Sequence, residues 1–315
     1  MDIGDRAPFH LYRAAARVAR TLPGPVAEIS ARAMGLPLAG MMRGRREMVS
    51  RHIRRVRPEL RGVALRRAVQ ECFDSYARYW VEAFRLPDLS PAQITADMDS
   101  TGLEHLRAAT DAGTGAIVVM PHLGGWDFGG AYVAAQGFPV TVVVERLEPP
   151  ELFDWFVRFR RSLGVTVVPL GPEAGSATLR ALRRNEVVGL IADRDIGGRG
   201  VEVEFFGETT KLPGGPATLA LRTGAPIVPA AVYYNRPAAR LAGQPGHRGV
   251  IHPPLPIERK GRLRDDVVRV TQQIAHALED LIRVAPEQWH LFQPNWPSDH
   301  DILERTRRSA APGRS

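Results

Sequence analysis

The chain has 315 residues, 44% of them hydrophobic, and its 42 basic and 34 acidic residues give a net charge of +8 with the histidines neutral. This length supports one large α/β domain or two small ones with a sizeable core. The single cysteine, Cys72, excludes an intramolecular disulfide, and no apolar run approaches the ~20 residues that a membrane-spanning helix needs. The N-terminus also lacks the apolar core of a signal peptide, so we expect a protein of the cytoplasm or of the cytoplasmic membrane face.

The first ninety residues are predicted to be helical. Arginines alternate with apolar residues before Pro23 ends the first pattern; the apolar members are Phe9, Leu11, Tyr12, Ala16, Ala19 and Leu22. Such a helix lies in an anionic membrane interface or packs on the protein's own core, and the pattern leaves both open. The arginine-rich run over 43–57 is typical of a solvated face and adds to the case for an anionic surface nearby. The apolar and aromatic stripe from Val69 to Phe84 is typical of core.

From about residue 115, short β-branched runs alternate with helical stretches. The predicted strands cover 115–120, 140–145, 165–170, 187–193 and 225–234, and the predicted helices lie near 128–136, 150–163, 175–185, 215–223 and 265–284. A further run over 201–206 predicts a half-exposed strand with Glu202 and Glu204 on one side. The alternation predicts an α/β fold with a central, mostly parallel or mixed sheet and helices on both faces. We expect one domain over 1–303, with N-terminal helices over 1–90, an α/β core over about 100–295, and a disordered tail over 304–315.

The sharpest motif is Pro121-His122-Leu123-Gly124-Gly125-Trp126-Asp127, directly after a predicted strand. Reactive residues of open α/β sheets lie at the carboxyl ends of strands, which is where His122 falls. Asp127 follows in the first turn of the next helix, where its carboxylate can approach the imidazole, fix one tautomer and stabilise the imidazolium. Gly124 and Gly125 allow a tight turn and leave room for a substrate beside the ring.

Two further strand ends carry charge. Asp193, Arg194 and Asp195 follow one strand and lead into a glycine-rich stretch, and Glu145-Arg146 closes another. The structural interpretation of these charged residues is a turn held by salt bridges. The functional one places Asp193 or Asp195 opposite His122, as an orienting partner or as a group that binds a polar substrate, because ionised groups at strand ends need partners or a polar cleft.

Missing motifs narrow the chemistry. The sequence has no G-x-S-x-G elbow, no Walker A loop, no G-x-G-x-x-G opening a helix, and no paired cysteines or H-E-x-x-H. A histidine–carboxylate pair without a protein nucleophile remains. This favours direct attack on an activated carbonyl by a substrate hydroxyl that His122 deprotonates.

These motifs together resemble the lipid A biosynthesis acyltransferase family, and most of all its phosphatidylinositol mannoside acyltransferases. His122 and Asp127 match the H-x4-D box of the glycerolipid acyltransferases. The wider similarity covers most of the chain in separate motifs, at 75–80, 121–129, 144–147, 160–164, 192–195, 201–208 and 289–294.

The resemblance implies an acyltransferase bound peripherally to the cytoplasmic face of the cell membrane. It implies a long-chain acyl-CoA donor such as palmitoyl-CoA, a mannose hydroxyl of a phosphatidylinositol mannoside as acceptor, and no cofactor or metal beyond the acyl-CoA co-substrate. His122 would be the base and Asp127 its support, and Asp193 stands where relatives carry a glutamate that completes a relay. Since Asp193 is one methylene shorter, its contact with His122 must be closer, shifted or bridged by water.

Other members of the predicted site bind substrate. Glu145, Arg160 and His290 match positions in the family's cleft, and Arg146 and Asp195 join them from the strand-end pattern.

Three alternatives stay open. The same chemistry could act on a lipid A precursor or another glycolipid. A metal-dependent phosphoesterase could be built on Asp127, Asp193 and Asp195, with Mg²⁺ or Mn²⁺. A non-catalytic protein could bind anionic lipid through its arginines. Nucleic-acid binding, which the charge alone would allow, lacks a recognisable motif.

Overall fold

The computed structural model describes residues 7–22, 24–146 and 148–300. Four helices lead the chain: α1 (Ala7–Thr21), α2 (Gly24–Met41), α3 (Arg43–Val56) and α4 (Gly62–Arg85). Further helices are α5 (Pro91–Ala96), α6 (Leu103–Asp111), α7 (Trp126–Ala135), α8 (Pro150–Ser162), α9 (Ala174–Arg183), α10 (Gly215–Thr223), α11 (Pro237–Leu241) and α12 (Leu263–Val284). The strands are β1 (Met98–Thr101), β2 (Ala116–Met120), β3 (Val140–Val144), β4 (Val165–Pro169), β5 (Val187–Ile191), β6 (Val201–Phe205), β7 (Glu208–Leu212), β8 (Ile227–Tyr234) and β9 (His247–Ile251).

Seven strands form the central sheet in the order β1-β9-β8-β2-β5-β3-β4. All its neighbouring strands pair in parallel except β8 and β9, which are antiparallel, so β1 and β9 run against the other five. The predicted mostly parallel or mixed sheet is confirmed. β6 and β7 form a separate antiparallel pair, and Glu202 and Glu204 are both exposed, as their alternation with valine predicts.

Helices cover both faces of this sheet. Along β2, Ile117 and Val119 pack with α10 and α12, and Ala116 and Val118 pack in a second cluster that includes Leu106 of α6. Because successive strand residues point to opposite faces, a strand covered on both sides needs a continuous apolar run. The sequence of β2 has one.

The N-terminal helix α1 packs against the rest of the molecule. Ala16 and Ala19 are buried, and the Tyr12 ring lies edge-on to Trp80 and Phe84 of α4. Of the two interpretations of this helix, packing on the protein's own core therefore holds for these side chains. The side chains of Phe9 and Leu11, and the tail over 304–315, lie outside the described part of the chain.

No helix within the described ranges combines the length and the apolar character needed to cross a membrane.

Candidate active site

His122 lies in the loop between β2 and α7. Backbone hydrogen bonds fix this loop: Gly124 N–H donates to Gln288 O at 2.9 Å, and Gly125 N–H donates to Val232 O at 3.1 Å. Gly124 has φ +56°, and a Cβ there would lie 2.0 Å from Val232 O, so a larger residue could not approach β8 this closely. The predicted tight turn is confirmed. The predicted room for a substrate is not found at Gly124, because β8 occupies the space beside it.

The imidazole of His122 is paired with Asp193. Its Nδ1 lies 2.7 Å from Asp193 Oδ1, so the shorter acid reaches the ring directly and needs no bridging water. Asp193 Oδ2 accepts two more hydrogen bonds, from His122 N–H at 3.0 Å and from the Trp289 indole Nε1–H at 2.7 Å. Asp193 is fully buried. Burial by itself would raise its pKa, but His122 and the three donors lower the pKa below the ordinary value.

This pairing sets the tautomer of His122. A charged Asp193 can only accept hydrogen bonds, so Nδ1 carries the proton and donates. In the neutral ring the lone pair therefore lies on Nε2. The side chain is 24% exposed and forms part of the wall of a large cavity, which is the arrangement a general base needs.

Asp127 occupies the first turn of α7, as expected, but the structure corrects its predicted partner. Its Oδ1 and Oδ2 accept from Arg160 Nε at 2.9 Å and Nη2 at 3.0 Å, and Oδ2 also accepts from Tyr79 OH at 2.8 Å. A guanidinium offers two parallel donors that match both carboxylate oxygens, whereas an imidazole offers one. The carboxylate at the imidazole is Asp193, not Asp127.

The charged ends of β2, β3 and β5 meet at one edge of the sheet. Arg194 Nη2 donates to Glu145 Oε2 at 2.8 Å, and both residues line the same cavity as His122. Arg146 is exposed and is not part of the cavity wall. The predicted convergence of strand ends is therefore found for Glu145, Asp193 and His122, and it fails for Arg146.

Asp195 serves the glycine-rich turn after β5. Its Oδ1 accepts from Gly197 N–H at 3.1 Å and its Oδ2 from Gly200 N–H at 2.6 Å. The residue lines the cavity, but both of its oxygens already hold backbone donors. Asp127, Asp193 and Asp195 thus each have different partners. Among the residues that the structure describes, no group of three His, Cys, Asp or Glu side chains could hold a metal ion.

His290 lies against His122. Its backbone N–H donates to His122 O at 2.7 Å, and its Nε2 lies 2.8 Å from Ser75 Oγ. Burial, with a smaller contribution from the neighbouring His122, lowers the pKa of His290 to about 3, so this ring is neutral at physiological pH. Its Nδ1 is buried and has no hydrogen-bond partner within the described part of the chain.

The cavity has a volume of about 1000 Å³ and a mostly apolar wall. Both Val142 and Val143 of β3 line it. Since consecutive strand residues point to opposite faces, the cavity follows both faces of the sheet. This volume is at the upper end of that of small-ligand sites, and the apolar wall suits a long hydrocarbon chain.

Sequence reasoning missed Trp289, Tyr79 and Ser75 as members of this site. Each supplies a neutral donor or acceptor to a charged or imidazole partner, and none carries a charge that would draw attention. Trp289 lies 96 residues from Asp193 in the sequence, so no local pattern indicates their contact. Cys72, in contrast, is buried, and its burial raises the pKa of its thiol, as expected of a packing residue.

The chain is similar in sequence to known proteins over most of its length. The model of the bacterial lipid A biosynthesis acyltransferases matches residues 3–298. The chain belongs to this family. The resemblance predicted from the motifs is confirmed, and the protein is an acyltransferase of lipid biosynthesis.

Sequence identity to individual relatives shows which members of the family this chain is most similar to among those compared. The chain is 37% identical to the phosphatidylinositol mannoside acyltransferase of Mycolicibacterium smegmatis over 236 residues, 74% of this chain and 73% of that protein. It is 38% identical to the enzyme of the same name from Mycobacterium tuberculosis over 241 residues, 75% of this chain and 71% of that protein. The lipid A biosynthesis acyltransferase of Haemophilus influenzae is 26% identical over 191 residues, 60% of this chain and 55% of that protein.

Proposed function

We propose that this acyltransferase moves a long-chain fatty acyl group from acyl-CoA, with palmitoyl-CoA as the expected donor, to a mannose hydroxyl of a phosphatidylinositol mannoside. His122 is the general base. The observation that carries this proposal is the Nδ1–Asp193 hydrogen bond, which leaves Nε2 to take a proton at the wall of a large apolar cavity. The mannoside acceptor is inferred from the names of the relatives that share 37–38% identity.

The chemistry follows from the tautomer of His122. Nε2 removes the proton from the acceptor hydroxyl as its oxygen attacks the thioester carbonyl, and the Asp193 charge stabilises the imidazolium. When the C–S bond breaks, the imidazolium gives its proton to the CoA thiolate. The products are an acyl ester on the sugar and free CoA, so His122 returns to its starting state.

A covalent acyl-enzyme is not part of this proposal. The serine and threonine side chains in the cavity wall are Ser100, Thr178 and Thr218. Ser100 is hydrogen-bonded to Tyr132 OH, and the two threonines donate to carbonyl oxygens at their own helices. None of these bonds joins the hydroxyl to a base that would activate it.

Two groups are placed to bind the acceptor sugar. The neutral ring of His290 lines the cavity beside His122, and its Nδ1 has no hydrogen-bond partner among the residues described. Glu145 presents a partly exposed carboxylate to the same cavity. Arg160 is committed to Asp127, so we assign it to holding α7 and α8 together near the cavity. Arg146 and Asp195 keep no such role, because the first is outside the wall and the second holds its own turn.

Product analysis tests the reaction. The purified protein is incubated with labelled palmitoyl-CoA and a panel of phosphatidylinositol mannosides, lipid A precursors and other glycolipids, with and without chelator. Mass spectrometry should find the label on mannose and equal release of CoA, both unchanged by chelator. Transfer only to a lipid A precursor would replace the acceptor, and chelator-sensitive phosphate release would replace the reaction class. Glycolipid binding without any turnover would indicate the non-catalytic lipid binder.

We also propose that the protein binds the anionic cytoplasmic membrane face through α1 and α2. Among the side chains that the structure describes on these helices, four large apolar ones are exposed: Val18, Met34, Leu36 and Met41. Exposed apolar side chains beside arginines are typical of an interfacial surface. Val268 and Val284 on α12 are similarly exposed and provide a matched control.

Vesicle sedimentation separates this surface from ordinary surface valines. Leu36→Ser with Met41→Ser should weaken binding to anionic vesicles, while activity on detergent-dispersed substrate holds. Val268→Ser with Val284→Ser should leave vesicle binding unchanged. Equal binding by the two double variants would contradict the proposed membrane surface.

A further inference from the structure

The second oxygen of Asp193 is held by a residue that does not touch the reacting atoms. Trp289 Nε1–H donates to Asp193 Oδ2 at 2.7 Å, beside the donation from His122 N–H at 3.0 Å. We propose that Trp289 is a positioning residue of the acyl transfer: its indole N–H holds the Asp193 carboxylate in the orientation that pairs Oδ1 with His122. This inference depends on the proposed role of His122 as base.

An indole suits this task for chemical reasons. A lysine or arginine in its place would compensate the charge of Asp193 and so weaken the stabilisation of the imidazolium. A hydroxyl could turn and accept instead of donating, whereas an indole N–H can only donate. Trp289 is 3% exposed and Asp193 is fully buried, so water cannot replace the donor without a rearrangement. The carboxylate is therefore oriented by a rigid neutral group that leaves its charge intact.

The backbone around Trp289 joins the same loop as His122. Trp289 forms an isolated antiparallel bridge with Leu123, and the neighbouring His290 N–H donates to His122 O at 2.7 Å. The base and the residue that orients its partner are therefore fixed to one another through main-chain bonds. A shift of either segment would change the contact of Asp193 with the imidazole.

A cluster of Arg51, His52, Arg55 and Asp299, with the histidine and the carboxylate buried and the arginines partly buried, holds this segment in place from α3. His52 Nδ1 lies 2.9 Å from Leu291 O, and its Nε2 lies 3.1 Å from Asp299 Oδ2. Arg51 Nε and Arg55 Nη1 both lie within 3.0 Å of Asp299 Oδ1. Part of the arginine run that the sequence assigns to a solvated face therefore ties α3 to the chain segment that carries Trp289.

A matched pair of tryptophans makes the proposal testable. Trp296 is also buried, and its Nε1–H also donates one hydrogen bond, to the main-chain oxygen of Phe205 at 3.0 Å. Trp289→Phe and Trp296→Phe each remove one indole donor and keep an aromatic ring. Both should lower Tm, because each leaves a buried acceptor with a bond fewer.

The pH dependence of kcat/KM distinguishes the two variants. Without the indole donor, the Asp193 carboxylate accepts more strongly from the His122 imidazolium and stabilises its protonated form. The acid limb of the Trp289→Phe profile should therefore move to higher pH, by about one unit. At neutral pH its kcat/KM should fall about ten- to a hundredfold. The limb of Trp296→Phe should match that of the wild type. The other titratable groups near the pair are His290 and the Glu145–Arg194 ion pair. His52 and Cys72 contact Trp289 itself, His52 through its ring and Cys72 through the main-chain oxygen. Both substitutions leave these four side chains and the Arg194 guanidinium unchanged.

A second background shows whether Trp289 acts through Asp193. In Asp193→Asn, the further change Trp289→Phe should alter the residual rate less than about twofold, since the charge that it orients is gone. An unmoved acid limb in Trp289→Phe, or a full additional loss in the Asn background, would overturn the positioning role. Failure of the proposed function has a different signature, because His122→Ala would then keep its activity whatever the tryptophans do.

Discussion

The histidine–carboxylate clusters around His122 and around His247 differ in one respect that decides their roles. Within the described part of the chain, the His122 ring hydrogen-bonds through Nδ1 alone, to Asp193, and it faces the cavity. His247 uses both nitrogens: Nε2 lies 2.6 Å from Glu82 Oε2, and Nδ1 lies 3.2 Å from Asp97 Oδ2. Its side chain is 1% exposed. A carboxylate beside an imidazole therefore does not by itself indicate catalysis. The indication is a second ring nitrogen that is available to a substrate.

The electrostatics of the two clusters differ in the same sense. Burial lowers the pKa of His247, but Glu82 and Asp97 outweigh that effect and raise the pKa to about 9. His247 is therefore an imidazolium at physiological pH, and it has no free lone pair with which to accept a proton as a base. It connects α4, β9 and the residue before β1 as a charged structural group, stacked on Phe128 at 3.8 Å between ring centroids.

The largest expected effect is that of His122→Ala. Loss of the base should reduce acyl transfer on the order of 10²–10⁴-fold, while folding and affinity for palmitoyl-CoA stay close to those of the wild type. Turnover and donor binding are measured on the same preparation. Turnover within a few-fold of the wild type would remove His122 from the mechanism.

Asp193 comes next. Asp193→Asn keeps the size of the side chain and removes the charge that stabilises the imidazolium, so turnover should fall about ten- to a hundredfold. Asp193→Glu keeps the charge and matches the acid that the family resemblance implies at this position, so it should retain more turnover than Asn. Tm on both variants is the control, since a site with no exposed surface resists an added methylene. An Asn variant with normal turnover would leave Asp193 a structural residue like Glu82.

Asp127→Asn should affect stability more than chemistry. Arg160 and Asp127 are 12% and 9% exposed, and loss of one partner leaves a buried guanidinium uncompensated, at a cost of about 3 kcal/mol in unfolding free energy. The acid limb of its pH–rate profile should match that of the wild type. A shifted limb with full stability would restore Asp127 as a partner of the imidazole.

The smallest effect on activity is expected for His247→Gln. The pKa of His247 is raised above the unfolded value, so its contribution to stability is fully present below about pH 6.5 and is lost as the pH rises through about 9. The variant should lose about 2–3 kcal/mol at pH 6 relative to the wild type and much less above pH 9.5. Urea unfolding across this range measures the difference, and a deficit that grows with pH would contradict the assigned charge.

Within the central sheet, the sequence predicts the strands whose apolar runs are continuous and misses β1 and β9, whose runs are not. The strands of the parallel part, such as β2 and β5, are apolar because both of their faces are covered. β1 (Met-Asp-Ser-Thr) and β9 (His-Arg-Gly-Val-Ile) each contain consecutive polar residues and lie together at one edge of the sheet. They were missed because their pairing is decided by tertiary contacts and not by local pattern.

In the candidate site, the residues that are adjacent in sequence were predicted more readily than the contacts between distant residues. His122 was found because a strand end, two glycines and a histidine are adjacent in sequence. The carboxylate partner of His122 was harder to predict, because Asp127 is five residues away in the sequence and Asp193 is 71 residues away. Local spacing favours the first, but the orientation of an α7 side chain depends on Arg160, from another helix. Trp289, 96 residues from Asp193, gives no local sign of its contact.

The measurement that tests the central claim most directly is the pH dependence of kcat/KM for acyl transfer by the wild type, Asp193→Asn and His122→Ala. If His122, supported by the Asp193 charge, is the base, the wild type shows an acid limb. In Asp193→Asn that limb moves to lower pH, because the imidazolium has lost its counter-charge. In His122→Ala the limb disappears and leaves a low rate that does not follow this ionisation. An acid limb of the same shape in all three proteins would contradict the account.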